Sequence, residues 1–331
     1  MRAMLLEQPA PASRHPLRPA DLPDPRPAQG ELLLRVTACG VCRTDLQIAE
    51  GDLAARVLPI IPGHQIVGHV AMLGEGVTGW NLGDRAGVAW LGGTDGSCRH
   101  CLEARENLCE RASFTGWDRN GGYATHATVR ADFALRIPES FADIDAAPLL
   151  CGGVIGYRSL KRSGIRPGGR LGLYGFGASA LLAIQVARHW RCRIFVCTRS
   201  AQEQARARSL GAEWAGDYAQ KPPELLDAAV SFAPSGEVVR SALRALDRGG
   251  TVAINAIHLD RLPELAYADL WWERSVRSVA NFTRADATEF LDLAATIPIR
   301  THFETHPLAD ANTALERLRE GRVAGAAVLV V

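Results

Sequence analysis

The sequence predicts an α/β protein of two lobes, one rich in β-strands and one built on a doubly wound parallel sheet. A length of 331 residues corresponds to about two domains at roughly 150 residues each, and 47% hydrophobic residues is enough to fill two cores. Up to about residue 150 the chain reads as short apolar runs punctuated by Gly and Pro, which argues for strands and turns. From about Gly153, strand-length apolar runs alternate with helical patterns, which argues for a parallel sheet with helices on both faces.

In the first lobe the expected strands include 31–37 (ELLLRVT), 66–72 and 85–90. In the second they are 170–174 (RLGLY), 193–197 (RIFVC), 227–232 (DAAVSF) and 251–255 (TVAIN), with helices over 178–190, 201–210 and 237–246 between them. The end of the chain changes rhythm again: helices over 286–295 and 309–320, then a buried strand over 326–331 (AAVLVV). With no repeat, low-complexity tract or charged tail, the expected design is a parallel-sheet lobe over 153–283 inserted into a β-rich lobe of 1–152 completed by 284–331.

Lys+Arg 37 against Asp+Glu 36 leaves a net charge of +1, so charge alone provides no field to hold nucleic acid or an anionic membrane. The longest uninterrupted apolar run, 326–331, is far short of the ~20 residues that span a bilayer. The opening MRAMLLEQPAPAS has one Arg, early prolines and no long apolar segment, so no secretory signal and a cytoplasmic location are expected. Eight cysteines are too few for a disulfide scaffold, and six fall in spacings that suggest metal.

Strand 170–174 runs into Gly175-Phe176-Gly177-Ala178-Ser179-Ala180 and then an apolar helix. In such a G-x-G-x-x-A loop Gly175 permits the tight turn, Gly177 the close approach of a pyrophosphate, and Ala180 the packing of helix on strand. The helix N-terminus adds N–H donors for the phosphates. An isolated strand-to-helix turn reads the same way; the surrounding strands and helices select the dinucleotide reading. At the end of the next strand an NAD-binding chain offers Asp or Glu to the ribose 2′-hydroxyl, about 20 residues on. This chain reads Cys197-Thr198-Arg199-Ser200, with no carboxylate there to repel a 2′-phosphate and with Thr198, Arg199 and Ser200 able to bind one. The reading leans to NADP; a solvated Arg199 and NAD is the alternative.

The first lobe carries Cys39-Gly-Val-Cys42-Arg43-Thr44-Asp45 and Gly63-His64-Gln65, and the lobe boundary carries Cys151. Two thiolates and one imidazole leave the fourth zinc position to water or substrate, the composition of a catalytic site. The plainer alternatives are small core cysteines and a polar Gly-His turn. A second group, Asp95-x2-Cys98-x2-Cys101-x7-Cys109, fits a closed tetrahedral zinc site, with Asp95 either the oxygen ligand or an ordinary loop carboxylate.

These residues resemble the zinc-dependent alcohol dehydrogenases of the medium-chain dehydrogenase/reductase superfamily. The resemblance runs through CGVCRTD at 39–45, PGHQIVG at 62–68, GDR at 83–85, the cysteine knuckle at 95–109, GGYATHA at 121–127, PLLCGGVIGY at 148–157 and GFGASA at 175–180. Within the superfamily the chain is most similar to bacterial members near the cinnamyl alcohol dehydrogenases. The resemblance implies a GroES-like catalytic domain and a Rossmann domain. It further implies catalytic zinc on Cys42, His64 and Cys151, structural zinc on Asp95, Cys98, Cys101 and Cys109, and thus two zinc ions per chain with NAD(P). Thr44 falls where the family takes the alcohol proton, Asp45 where a carboxylate orients the zinc-bound His, and Arg43 where a cation meets the coenzyme pyrophosphate. Leu53, Trp90 and Trp117 are the implied substrate-pocket residues, and a homodimer or homotetramer the implied assembly.

Three positions depart from the family pattern. Asp95 replaces the usual first Cys of the knuckle, Gln65 replaces the Glu after the zinc-binding His, and Gln47 replaces a His that ends the proton relay. A neutral amide makes the zinc environment less negative, and Gln cannot titrate near neutrality, so proton exit must use the ribose hydroxyl and water or another group.

The expected chemistry is reversible hydride transfer between a primary or secondary alcohol, or its aldehyde or ketone, and NAD(P), with zinc polarising the oxygen. Two rivals share the fold: a zinc-independent quinone or enoyl reductase, which has no use for the three ligands, and a non-catalytic nucleotide-binding protein with structural zinc. The other residues receive plain readings. Cys39, Cys192 and Cys197 are expected as buried small residues, Trp271 and Trp272 as core in preference to subunit contact, and the remaining histidines, His258 among them, as ordinary side chains.

Overall fold

The computed structural model describes residues 1–256 and 259–331, so His258 lies outside the described residues. The chain forms two compact units, Met1–Cys151 with Asn281–Val331, and Gly152–Ala280. The second cut falls three residues before the expected one because Thr283 belongs to the helix it caps. Its hydroxyl accepts from Asp286 N at 3.1 Å, and the Asp286 carboxylate accepts from Thr283 N at 3.0 Å. That helix, Arg284–Thr296, is anchored in the first unit where Arg284 N donates to Glu106 at 2.8 Å.

The first unit is built on a seven-stranded sheet, in order Phe303–Pro307, Ala326–Val330, Glu31–Val41, Gln65–Leu73, Arg85–Val88 and Leu135–Arg136, with His126–Arg130 also pairing on Glu31–Val41. Leu32, Leu34 and Val36 of the long strand join Ile66, Val88 and Tyr123 in one core. Full burial of such side chains stabilises the fold by about 1.5–3 kcal/mol each before entropy is counted. The register of the two long strands places two site residues. Cys39 pairs with Ile66 and Gly40 with Gln65, antiparallel, so Cys42 just beyond one strand and His64 just before the other emerge at the same end of the sheet.

The second unit is a six-stranded sheet in the order Trp214–Gly216, Arg193–Cys197, Arg170–Tyr174, Leu226–Ser231, Leu246–Ile254, Ser275–Ser278, parallel throughout. The chain order reverses between Arg170–Tyr174 and Leu226–Ser231, which opens a crevice for ligands at the carboxyl ends of these two strands. The helix Gly236–Arg244 buries Val238, Val239, Ala242 and Leu243 and leaves its other face to water. The helix Gly152–Ser163 packs on Ala178–His189, where a Cβ on Gly156 would lie 3.2 Å from the Ser179 carbonyl oxygen.

Several expectations change. The helix expected over 237–246 ends at Arg244, because Leu246 opens the strand Leu246–Ile254 in register with Leu226. The edge strand Ser275–Ser278 gives little apolar signal, being exposed over its last two residues. Trp271 and Trp272 are not core: they are 50% and 47% exposed and stack with Tyr267 and Arg248 on the surface. Cys39 and Cys197 are buried, whereas Cys192 is half-buried beside the Arg166 carbonyl. Among the described residues no helix is long and apolar enough to cross a membrane.

Candidate active site

Cys42 leaves the strand Glu31–Val41 in extended conformation and caps the helix Arg43–Glu50. Its sulfur accepts from Thr44 N at 3.3 Å, and the third helical residue, Asp45, returns a carboxylate oxygen to Cys42 N at 2.9 Å. The other oxygen of Asp45 accepts the Nδ1–H of His64 at 2.9 Å. That bond turns Nε2 toward the Cys42 and Cys151 sulfurs, each 3.4 Å away. Asp45 and His64 are 0% and 1% exposed, so neither competes with water for its partner.

The electrostatics follow from this packing. A hydrogen bond from the Cys151 thiol holds Cys42 well below the ordinary thiol range despite burial, with help from the His64 charge. The same bond, with burial, pushes Cys151 up. Burial alone would lower His64, but the Asp45 and Cys42 charges outweigh it and hold the imidazole well above its usual value. Burial raises Asp45 against the opposing pull of His64. Two sulfurs and one nitrogen with ligand atoms all within 4.8 Å of one another match a zinc site with three protein ligands.

The turn that carries His64 sits in a seam of glycines. Gly63 has φ +97°, and a Cβ there would lie 2.4 Å from the Tyr123 ring, while one on Gly121 would lie 2.0 Å from the Gly63 carbonyl oxygen. Backbone bonds close the seam: Gly121 N to Ile61 O at 2.7 Å, Gly122 N to Gly63 O at 2.9 Å and Tyr123 N to Pro62 O at 3.0 Å. Gln65 is buried, and its side chain lies against Gly40 on the facing strand.

Asp95, Cys98, Cys101 and Cys109 also converge, with ligand atoms within 4.8 Å. One oxygen of Asp95 accepts from Cys98 N and Ser97 N, each at 2.9 Å, and these two bonds keep the carboxylate ionised far into acid. Its other oxygen is buried, makes no hydrogen bond among the described residues and lies 3.4 Å from Arg111 Nε. Burial pushes Cys101 up to about 11, while the Cys101 N–H lowers Cys98. A carboxylate oxygen gathered with three sulfurs fits a closed four-ligand zinc site.

Beside His64 stands a group of rings. Trp90 meets the imidazole edge-on at 4.9 Å and stacks with Phe114 at 5.2 Å and Trp117 at 5.8 Å. Leu53 is half-buried against the same core. Phe114 arrives through the pairing of Leu91–Gly93 with Ser113–Phe114, a contact between distant residues that local pattern does not reveal.

In the second unit Gly175 has φ +90°, and Gly177 caps the helix Ala178–His189. A Cβ on Gly177 would meet nothing within 4 Å, which leaves room for a phosphate at the helix N-terminus. Phe176 and Ala180 are buried, and Ala178 and Ser179 are half-buried on the first turn. Arg199 is exposed, and Ser200 caps the next helix by accepting from Glu203 N at 3.3 Å. That helix brings the Glu203 carboxylate back to the Thr198 hydroxyl, which donates to it. The reading that no carboxylate stands at the end of this strand is therefore corrected. The S-x-x-E spacing from Ser200 to Glu203 is the sequence signal that reveals it. Arg43 stands exposed at the first position of its helix.

Asp45→Ala is expected to weaken zinc binding roughly ten- to a hundredfold while leaving the three ligands in place, read by competition with a chromophoric chelator. Unchanged affinity would show that the His64 orientation is held by packing alone.

Two family models match the chain: the alcohol dehydrogenase GroES-like domain over residues 28–139 and the zinc-binding dehydrogenase over residues 178–296. The chain is 49% identical to "Probable alcohol dehydrogenase AdhA" of Mycobacterium tuberculosis, over all of this chain and 97% of that protein. It is 32% identical to an alcohol dehydrogenase of Geobacillus stearothermophilus, over the whole of both. A thermostable alcohol dehydrogenase from Pyrobaculum aerophilum, solved with cobalt and zinc bound, superposes with a TM-score of 0.90 at 27% identity, over 100% of this chain and 99% of that one. With a GroES-like unit, a Rossmann unit and these relatives, the chain belongs to the zinc-binding alcohol dehydrogenases of the medium-chain dehydrogenase/reductase superfamily.

Proposed function

We propose that this enzyme interconverts alcohols with their aldehydes or ketones by hydride exchange with NAD(P), at a zinc site held by Cys42, His64 and Cys151. The observation that carries the proposal is the convergence of those three side chains with Asp45 fixing the imidazole from behind. Zinc, when bound, supplies the Lewis acidity that makes an alcohol hydroxyl acidic near neutral pH. The chain does the rest. Thr44 Oγ1, on the helical turn capped by Cys42 and only 5% exposed, receives the hydroxyl proton. Gln47, one turn on, cannot titrate near neutrality, so the onward proton acceptor would be the ribose hydroxyl of a bound coenzyme and water, or another group. Trp90, Trp117 and Leu53 form the apolar lining that orients the carbon chain.

The loop of residues 175–180 would bind the pyrophosphate by backbone N–H groups. Coenzyme choice rests on two opposed charges, the exposed Arg199 guanidinium, which favours the 2′-phosphate of NADP, and Glu203, which repels it. We read Arg199 as the stronger, so the preference is for NADP. A second zinc on Asp95, Cys98, Cys101 and Cys109 serves structure, and thiolate ligands of this kind are kept reduced in a cytoplasmic setting. The exposed Tyr267, Trp271 and Trp272 beside the edge strand Ser275–Ser278 support self-association as a homodimer or homotetramer. Light scattering that returns the monomer mass of 35.6 kDa would overturn that assembly.

The direct test is elemental analysis of the purified protein together with alcohol-dependent reduction of NAD and NADP. The expected result is two zinc ions per chain with turnover, and Cys42→Ser retaining one zinc and no turnover. Full alcohol oxidation by Cys42→Ser would sink the assignment. Arg199→Ala should lower kcat/KM with NADP by about tenfold and leave NAD nearly unchanged, as loss of one charge-assisted phosphate contact predicts. Equal effects on the two coenzymes would make Arg199 a bystander.

A further inference from the structure

The segment joining the helix Arg43–Glu50 to the strand Gln65–Leu73 grips Trp117 at two points. The indole Nε1–H of Trp117 donates to the Ala54 carbonyl at 2.9 Å, and the guanidinium of Arg56 lies over the ring at 3.9 Å from its centroid. Arg56 is held there by Asp118, which accepts from its Nη1 at 3.0 Å, and the other oxygen of Asp118 accepts from Phe114 N at 2.8 Å. The guanidinium also lies 5.8 Å from the Phe114 ring. A continuous path of contacts thus runs from Arg56 through Trp117 and Trp90 to the imidazole of His64.

Trp90, Phe114 and Trp117 are all half-buried, so their ring edges and faces are left for a small molecule to meet beside His64. Rings in that state have rotamer freedom that packing alone does not remove, and a planar cation stacked on the outer indole restricts it. An ion pair between exposed Arg56 and Asp118 would contribute little by itself; the stacking gives it a direction.

We propose that Arg56 is a positioning residue for substrate: it holds Trp117, and through it Trp90, as a flat apolar wall beside His64, and so favours ring-bearing alcohols over short aliphatic ones. The proposal rests on the alcohol dehydrogenase reading of the site.

The test compares the wild-type holoenzyme with Arg56→Ala and Arg56→Lys, using benzyl alcohol and ethanol at saturating coenzyme. For Arg56→Ala the KM for benzyl alcohol should rise about two- to fivefold, the scale of one lost cation–π contact, with the kcat changed less and the KM for ethanol unmoved. Arg56→Lys, which keeps the charge but not the plane, should fall between the two. A rise in KM for both alcohols together, or for neither, overturns the proposal. Zinc content equal to wild type shows that the fold is kept, and if Arg56→Ala does not fold, Arg56→Gln replaces it. Quenching of tryptophan fluorescence by 4-nitrobenzyl alcohol reads binding without turnover, and its Kd should weaken by the same factor in Arg56→Ala. That result with a wild type that oxidises neither alcohol sinks the dehydrogenase reading and leaves the role of Arg56 standing; an unchanged Kd overturns the role itself.

Discussion

The carboxylate of Asp45 is the point on which the first unit turns. One oxygen closes the N-terminus of the helix Arg43–Glu50 through Cys42 N, and the other fixes the imidazole of His64. The two tasks could not be separated without loss. The cap puts Cys42 at the helix N-terminus, where partial positive charge favours a thiolate. The bond to Nδ1 turns Nε2 toward the same point as the sulfurs. One buried side chain thus fixes both the helix cap and the direction of the imidazole.

The two cysteine groups solve the same problem under different conditions. Around Cys42 and Cys151 the side chains act on one another, the Cys151 thiol lowering Cys42 and being raised in turn. In the knuckle the backbone does more of the work, with N–H groups from Ser97 and Cys98 keeping Asp95 charged. Oxygen is a harder donor than sulfur, and its place in the knuckle is taken by a residue whose second oxygen is already committed to a turn.

Much of this arrangement is legible in the sequence because the informative features are local. The loop 175–180, the cap from Cys42 to Asp45 and the knuckle spacing each lie within a few residues, where chain geometry leaves little choice. Cys151 lies far along the chain from Cys42, and only the family resemblance places it with the other ligands. The ring group shows the limit. Phe114 reaches Trp90 through strand pairing, and Arg56 reaches Trp117 across a loop, so neither pattern nor propensity marks them. Trp271 and Trp272 mislead for a related reason. Hydrophobicity argues for burial, but a large share of any folded surface is apolar, and a pair of indoles beside an edge strand belongs to it. Glu203 is within reach of the S-x-x-E spacing, yet it stands on the first turn of the helix beyond the strand end, and only the cap at Ser200 folds it back to Thr198.

The glycine seam around His64 has a consequence for how such a protein can diversify. Backbone lies directly on backbone between 61–63 and 121–123, and even a methyl group on Gly121 would collide with a carbonyl oxygen that no side-chain rotation can move. Descendants of this sequence are thus closed to variation on the side of His64 that faces the seam. On the proposed function, novelty in the molecules accepted has to enter away from the seam, through the half-buried rings and the loop that leans on them, where size and shape can change one residue at a time while Cys42, His64 and Cys151 stay where they are.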